Sequence, residues 1–316
     1  MIQPSISPTT LKEALAAWRL QDPLTITRGT GGFTSETWLV ETGADRYIAK
    51  LAHDDQSSFE TGLLVAEIVD RHGIPSGAPY RTTSGALSVM VSDNHGQRHP
   101  LALLHLVPGE SLDLTDPDAP RIIGNILGNV HRVVHREQST PRCPERLFRY
   151  LVTQDDEEHR QPWLRPMIHR VVDRVRRFEA DIHVTYGITY GDFPEFLHER
   201  HTGQIGLIDW GTVGHGPLLF DVALTVEMFE QAGIRRTDTL FNSYLTIAPV
   251  APQELTGIAC YIALLRARQA KYFAWRLAHN VTRGDSIMGG NARRLATARR
   301  QLEESLNDLP LRMTNG

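Results

Sequence analysis

The hydrophobic pattern of this chain changes period at Val107-Pro108-Gly109, and that change restricts what it can fold into. Before it, residues 24–28, 37–41 and 46–51 read as strands, separated by Gly29-Thr30-Gly31-Gly32 and Gly43-Ala44-Asp45, an antiparallel meander. Two further strands are expected near 88–92 and 100–106, making five. A first helix is signalled by Thr10 and Glu13, spaced as a capping box before Leu11, Leu15 and Trp18. A second runs from Ser57 to about His72, closed by Gly73 and Pro75. After residue 109 helical spacing takes over, as at Ile122, Ile126, Val130 and Val133, across 163–181 and 255–279, and in a polar, Arg-rich terminal helix over 293–306. One β island interrupts this half: 188–190, 196–199 and 204–208 about the turn His201-Thr202-Gly203. The expected class is α+β: a strand-rich N-lobe over 1–105 and a mainly helical C-lobe over 106–316.

Composition limits the partners. Lys plus Arg number 33 against 37 Asp plus Glu, a formal charge of -4, where a nucleic-acid partner would favour a basic surface. Arginines cluster at 165–177 and 293–300, but acids are interspersed, so they read as solvated helix faces. No apolar run approaches the roughly 18–20 residues a membrane helix needs. The first ten residues carry neither a basic start nor an apolar stretch, so no secretory signal is expected. Cys143 and Cys260 form no CxxC pair for a metal. The expectation is a cytoplasmic protein, monomer or homodimer, without a membrane or nucleic-acid partner.

Three elements could carry chemistry. Partners across the hairpin turn have numbers summing to about 404, which sets Asp209 opposite Glu195, with Asp192 beyond at the same open end. Carboxylates there suit magnesium and general-base work, although a turn cap and a strand end are the plain alternative. Lysine occurs only at Lys12, Lys50 and Lys271, so Lys50, in the apolar strand Tyr47-Ile48-Ala49-Lys50-Leu51, stands out. With Gly31 and Gly32 in the turn nearby it could neutralise phosphate, or it could be a strand lysine reaching for solvent. Glu60 and Glu67, seven apart, share a helix face with Leu63 and Leu64, and an acid there could hold Lys50.

Taken in order, a glycine-rich hairpin, a strand lysine, a helix glutamate, a Gly-Asp loop and an Ile-Asp-Trp strand end resemble the aminoglycoside phosphotransferase and choline/homoserine kinase superfamily, relatives of the protein kinases. Leu106-Val107-Pro108-Gly109, Leu127-Gly128-Asn129-Val130-His131 and the segment Gly216-Pro217-Leu218-Leu219-Phe220-Asp221-Val222-Ala223 are further matches. The resemblance covers most of 24–280 and implies a bilobal protein-kinase-like fold using ATP and Mg2+. It implies that Lys50 meets the nucleotide phosphates, paired with Glu60 or, second, Glu67, and that Gly31 and Gly32 approach those phosphates. Asp192 would accept the proton of the attacking hydroxyl, Asp209 would hold magnesium, and Asp221 would brace the loop. The hinge backbone around 103–106, with Leu104 and Leu106, would take the adenine edge.

The catalytic loop departs from the family pattern of His-Gly-Asp, two residues, Pro, one residue, Asn. Here it reads Tyr190-Gly191-Asp192-Phe193-Pro194-Glu195-Phe196-Leu197-His198, one residue short, with Tyr190 for histidine and Phe196 or Leu197 for the metal-binding asparagine. Glu195 is the best substitute ligand, and His198 is less suited because magnesium prefers oxygen. The reading is an ATP-dependent kinase acting on a hydroxyl of an antibiotic or small metabolite. The alternative is a pseudokinase that binds without transferring phosphate. The acids Asp155-Asp156-Glu157-Glu158 fit a cationic acceptor or a plain solvated loop.

Overall fold

The alternating stretches pair as antiparallel strands. In a computed structural model, which describes residues 5–21, 24–29, 35–43, 45–53, 56–137, 139–145, 147–153, 160–234, 237–281 and 290–308, the chain divides into two units. The first comprises Met1–Asp113, Arg136–Arg142 and Pro194–Val213; the second comprises Leu114–His135, Cys143–Phe193 and Gly214–Gly316. The β island is thus split: its hairpin belongs with the N-terminal sheet, and the strand before it belongs with the helices.

The sheet of the first unit has six strands rather than five. β1 (Thr25–Arg28), β2 (Ser35–Glu41), β3 (Arg46–Ala52), β6 (Arg98–His105) and β4 (Pro79–Tyr80) lie in that order, and β5 (Val89–Ser92) also pairs with β6. The added strand is β4, two residues long and so too short to show alternation. It is fixed from outside, where the Trp18 indole donates to the Tyr80 carbonyl at 2.5 Å. Trp38, Val40, Ala49 and Leu51 turn to one face of the sheet. There they meet Leu11 and Leu15 of α1 (Pro8–Leu15), capped by the Ser7 hydroxyl on the Thr10 N–H. Side chains alternate across a strand, so Lys50 faces the opposite side. On that side α2 (Gln56–Arg71) packs Phe59 and Leu63 against Ala52 and Ala102.

β9 (Glu195–Glu199) and β10 (Gln204–Ile208) form the hairpin, and the short β7 (Glu110–Ser111) adds a third strand. The register corrects the expected pairing by one residue. Glu199 pairs with Gln204 and Glu195 with Ile208, because the loop spans 200–203 with Gly203 at φ +70°. Asp209 is therefore one residue past the last pair rather than opposite Glu195.

The second unit is mainly helical: α3 (Ala119–Arg136), α4 (Leu147–Val152), α5 (Leu164–Asp181), α6 (Leu219–Gln231), α7 (Asp238–Leu245), α8 (Ile258–Ala278) and α9 (Asn291–Asp308). Between them β8 (Tyr186–Thr189) pairs with β11 (Gly214–Pro217). α6 is buried on nearly every side, so its charges need partners. Glu227 receives the Arg266 guanidinium at 3.0 Å. The terminal helix is less polar than its composition suggests, since Leu295, Ala298, Leu302 and Leu306 form a buried stripe. Its arginines partly pair along the helix, Arg299 with Glu303 and Arg300 with Glu304. Among the described residues no helix is long and apolar enough to cross a membrane.

Candidate active site

In the first unit, β3 and the end of β10 bring Lys50 and Asp209 together. The Lys50 Nζ donates to Asp209 Oδ1 at 2.5 Å. Asp209 sits at φ +70°, a left-handed conformation uncommon outside glycine and more tolerable for aspartate than for a branched residue. Its neighbour holds it there. Trp210 is buried, and its indole N–H donates to the carbonyls of Ser76 at 2.9 Å and Leu207 at 3.0 Å. A Cβ on Gly62 of α2 would overlap the Trp210 carbonyl, so the helix rests directly on this turn.

A pocket opens here, lined by Ser35, Thr37, Ile48, Lys50, Phe59, Leu63, Leu104, Leu106, Glu195, Leu197, Ile208 and Asp209. Its lining combines apolar side chains with one ammonium and two carboxylates. Glu195 keeps an exposed side chain, yet desolvation of its carboxyl raises the pKa from the usual 4.5. Repulsion from Asp209 raises it further, and Lys50 acts in the opposite sense. The two carboxylates of this lining make a donor set that fits magnesium, which binds through one or two carboxylates plus phosphate oxygens.

Leu104 and Leu106 both reach this pocket. Glu60 does not meet Lys50. Its Oε1 accepts from the Ser88 hydroxyl at 2.6 Å and the Gln56 amide at 3.0 Å, because Gly62 and Leu63 occupy the part of α2 turned to the pocket. Glu67, the second choice, pairs with Arg81 at 2.8 Å. Gly31 and Gly32 lie outside the described residues, as do Asp155, Asp156, Glu157 and Glu158.

In the second unit β8 leads into the loop that carries Asp192. Gly191 adopts φ +83°, and the half-exposed Asp192 accepts the Phe193 N–H at 2.8 Å. Beneath the loop runs a buried polar chain. Asp221 accepts the backbone N–H of Tyr190 at 2.6 Å and of Gly191 at 3.0 Å. Its Oδ2 also meets His131 Nε2 at 3.0 Å, and His131 Nδ1 meets the Tyr244 hydroxyl at 2.8 Å. Burial above all, then Asp221 and Glu254, raises the Tyr244 phenol well above its ordinary value, so it keeps its proton and can donate to Nδ1. That direction leaves the Nε2 proton for Asp221. The brace grips backbone, which is why Tyr190 can stand where the family pattern has histidine. Of the two residues that could stand for the family's asparagine, Phe196 is buried and Leu197 lines the pocket of the first unit.

Sequence reasoning did not anticipate the Lys50–Asp209 contact, Gly62 under Trp210, or the link from His131 to Tyr244. It also missed Arg268 of α8, whose Nη1 donates to the Gly191 carbonyl. A tryptophan following an aspartate at a strand end was the one local signal for the first of these.

The fold is that of the protein-kinase-like class, and comparison with known proteins agrees. The phosphotransferase enzyme family matches over residues 25–256, and the chain belongs to that family. Among solved structures, it is similar to the amicoumacin kinase hAmiN in complex with AMP-PNP, Ca2+ and Ami, with a TM-score of 0.69 and 15% identity over 96% of this chain and 93% of that one. The choline kinase LicA from Streptococcus pneumoniae gives 0.65 and 18% over 94% and 98%. A microcompartment-associated aminopropanol kinase gives 0.66 and 17% over 95% and 98%. At these identities the likeness is one of fold. An uncharacterized protein of Synechocystis sp., sll1119, is 23% identical over 239 residues, 70% of this chain; the chain spans 65% of the length of that relative.

Proposed function

We propose that this protein is an ATP-dependent O-phosphotransferase that moves the γ-phosphate to a hydroxyl of an antibiotic or small metabolite. The observation that carries the reading is the Lys50–Asp209 pair in a largely apolar pocket, with Glu195 beside it. Lys50 neutralises the nucleotide phosphates, and the amides of Gly31 and Gly32 approach them. The backbone around Leu104 and Leu106 takes the adenine edge. Asp209 and Glu195 would hold Mg2+, which supplies charge neutralisation on the phosphate oxygens when bound. Asp192 orients the acceptor hydroxyl and takes its proton. Phosphoryl transfer suits this inventory because positioning and charge neutralisation do most of the work. Glu60 supports β5 through Ser88 rather than pairing with Lys50.

The acids at 155–158 favour a cationic acceptor by long-range attraction, and the similar kinases named for choline and aminopropanol act on acceptors of that charge. The enzyme is read as cytoplasmic, a monomer or homodimer. A second reading, a pseudokinase, draws on Phe196 and Leu197, either of which could stand at the asparagine position and neither of which can coordinate magnesium. Thermal shift with ATP, with and without magnesium, then a screen of hydroxylated amines and antibiotics for ATP-dependent mass gain, separates the two. Magnesium-dependent stabilisation with mass gain supports the kinase. Nucleotide binding without mass gain supports the pseudokinase. Lys50→Ala should weaken nucleotide binding by about tenfold or more, and Lys50→Arg should not restore it, because a guanidinium fork replaces a compact ammonium. Unchanged affinity in Lys50→Ala would make Lys50 an ordinary strand lysine.

A further inference from the structure

We infer that Arg268 on α8 is a positioning residue for phosphoryl transfer, clamping the peptide that carries Asp192; this rests on the reading of Asp192 given above. Gly191, the residue before Asp192, has both of its backbone polar groups held by side chains from outside the loop. Its N–H donates to Asp221 Oδ1 at 3.0 Å, and its carbonyl accepts from Arg268 Nη1. The two grips come from α6 and α8, so the peptide is held from two directions. Gly191 needs this. At φ +83° it occupies a conformation that a free glycine leaves easily.

The guanidinium is itself seated. It lies over the ring of Phe220, 5.5 Å from the centroid, and Phe220 is buried beside Asp221 on the same helix. Adjacent residues of α6 therefore serve both grips, one by accepting the Gly191 N–H and the other by supporting the arginine. The second guanidinium nitrogen, Nη2, stands 3.9 Å from Asp192 Oδ1. That is too long for a hydrogen bond but close enough for attraction between charges. A planar fork presents separate nitrogens to the carbonyl and the carboxylate in a fixed geometry, which a compact ammonium does not reproduce. Among the described residues, the Asp192 carboxylate accepts a hydrogen bond only from the adjoining Phe193 N–H. The loop is also one residue shorter than the family pattern, so Asp192 depends on its neighbours for aim.

The test pairs kinetics with amide hydrogen exchange on the full-length protein. Arg268→Gln should lower kcat by about 10- to 100-fold, the scale of a small misplacement, with KM for nucleotide and acceptor changed less than about twofold. Exchange across 190–193 should quicken while that of β8 stays as it was. Arg268→Lys should return only part of the lost turnover, and guanidine added to Arg268→Ala should return some of it. A wild-type kcat in Arg268→Gln, or unchanged exchange across 190–193, overturns the clamp. If Arg268→Gln does not fold, Arg268→Lys decides by the same two readouts. If the wild type transfers phosphate to no acceptor, the kinase reading fails, and exchange alone upholds or overturns the clamp.

Discussion

The two candidate aspartates, one in each unit of this protein, are held by different physical means. Asp209 keeps its left-handed backbone because bulk surrounds it: Trp210 is buried and tied by its indole, and Gly62 brings α2 against the Trp210 carbonyl. Asp192 is placed by hydrogen bonds instead. Asp221 holds two backbone amides, His131 and Tyr244 stand behind it, and Arg268 takes the remaining carbonyl. Close packing fixes a position against any push but fails abruptly when volume is added. A buried polar chain fixes a direction and fails when a single partner is removed. The two regions should therefore break under different substitutions.

The largest effect is expected at Asp221. Asp221→Ala leaves two backbone N–H groups and a buried histidine without their acceptor, a loss of about 3–5 kcal/mol of stability by urea denaturation. Asp221→Asn, which keeps an acceptor oxygen, should lose less. A loss under about 1 kcal/mol for the alanine variant would mean that the chain is not what fixes the loop.

Asp192→Asn should separate chemistry from folding in the same region. It keeps the shape and removes the proposed base, so turnover should fall by about 10²- to 10⁴-fold while the melting temperature and nucleotide affinity stay unchanged. Full activity would remove Asp192 from the mechanism, whatever holds it.

Gly62→Ala is the corresponding break in the packed region. The added methyl meets backbone oxygen, which cannot swing aside, so a loss of about 1–3 kcal/mol is expected, with magnesium-dependent nucleotide binding weakened alongside. Gly43→Ala, where nothing lies within 4 Å of the added carbon, is the matched control. Equal stability of the two variants would mean that α2 shifts freely and that Trp210 does not depend on it.

This contrast also explains what could be read from the sequence. Strand and helix periodicity, together with the order of the glycine turn, Lys50, Asp192 and Asp209, pointed to the architecture now shared with known kinases. That Lys50 stands out was visible in its apolar neighbours, but the face of the sheet it takes was not. The hairpin register was not, since one residue more or less in the loop leaves the pattern of 195–208 unchanged. The partner of Lys50 was misread because a helix glutamate at suitable spacing says nothing of a competing donor such as the Ser88 hydroxyl. Contacts between distant segments, such as Arg268 on Gly191 and Gly62 on Trp210, leave no local mark. A glycine inside a helix and an arginine on a partly exposed face look ordinary until the chain has folded.

Glu195 should give the smallest effect and the finest test of how the pocket works. Its carboxyl is raised above 4.5 by desolvation and then by Asp209, with Lys50 opposing. The unfolded chain therefore ionises this group at lower pH than the folded one. Its contribution to stability is fully present below the unfolded value and is lost as pH rises through the folded value. Without metal, the wild type should lose slightly more melting temperature between that acid range and neutrality than Glu195→Gln does, a difference on the order of one degree. With magnesium and nucleotide the sign reverses, because the metal needs the ionised carboxylate and its binding improves as the proton leaves. Glu195→Gln should then need several-fold more magnesium to reach the same stabilisation, and Asp209→Asn should abolish the magnesium dependence. If the titrations of Glu195→Gln and wild type superimpose while Asp209→Asn still fails, Asp209 is the sole carboxylate on the metal. The raised carboxyl of Glu195 would then record only its desolvation and, after that, its crowding beside Asp209.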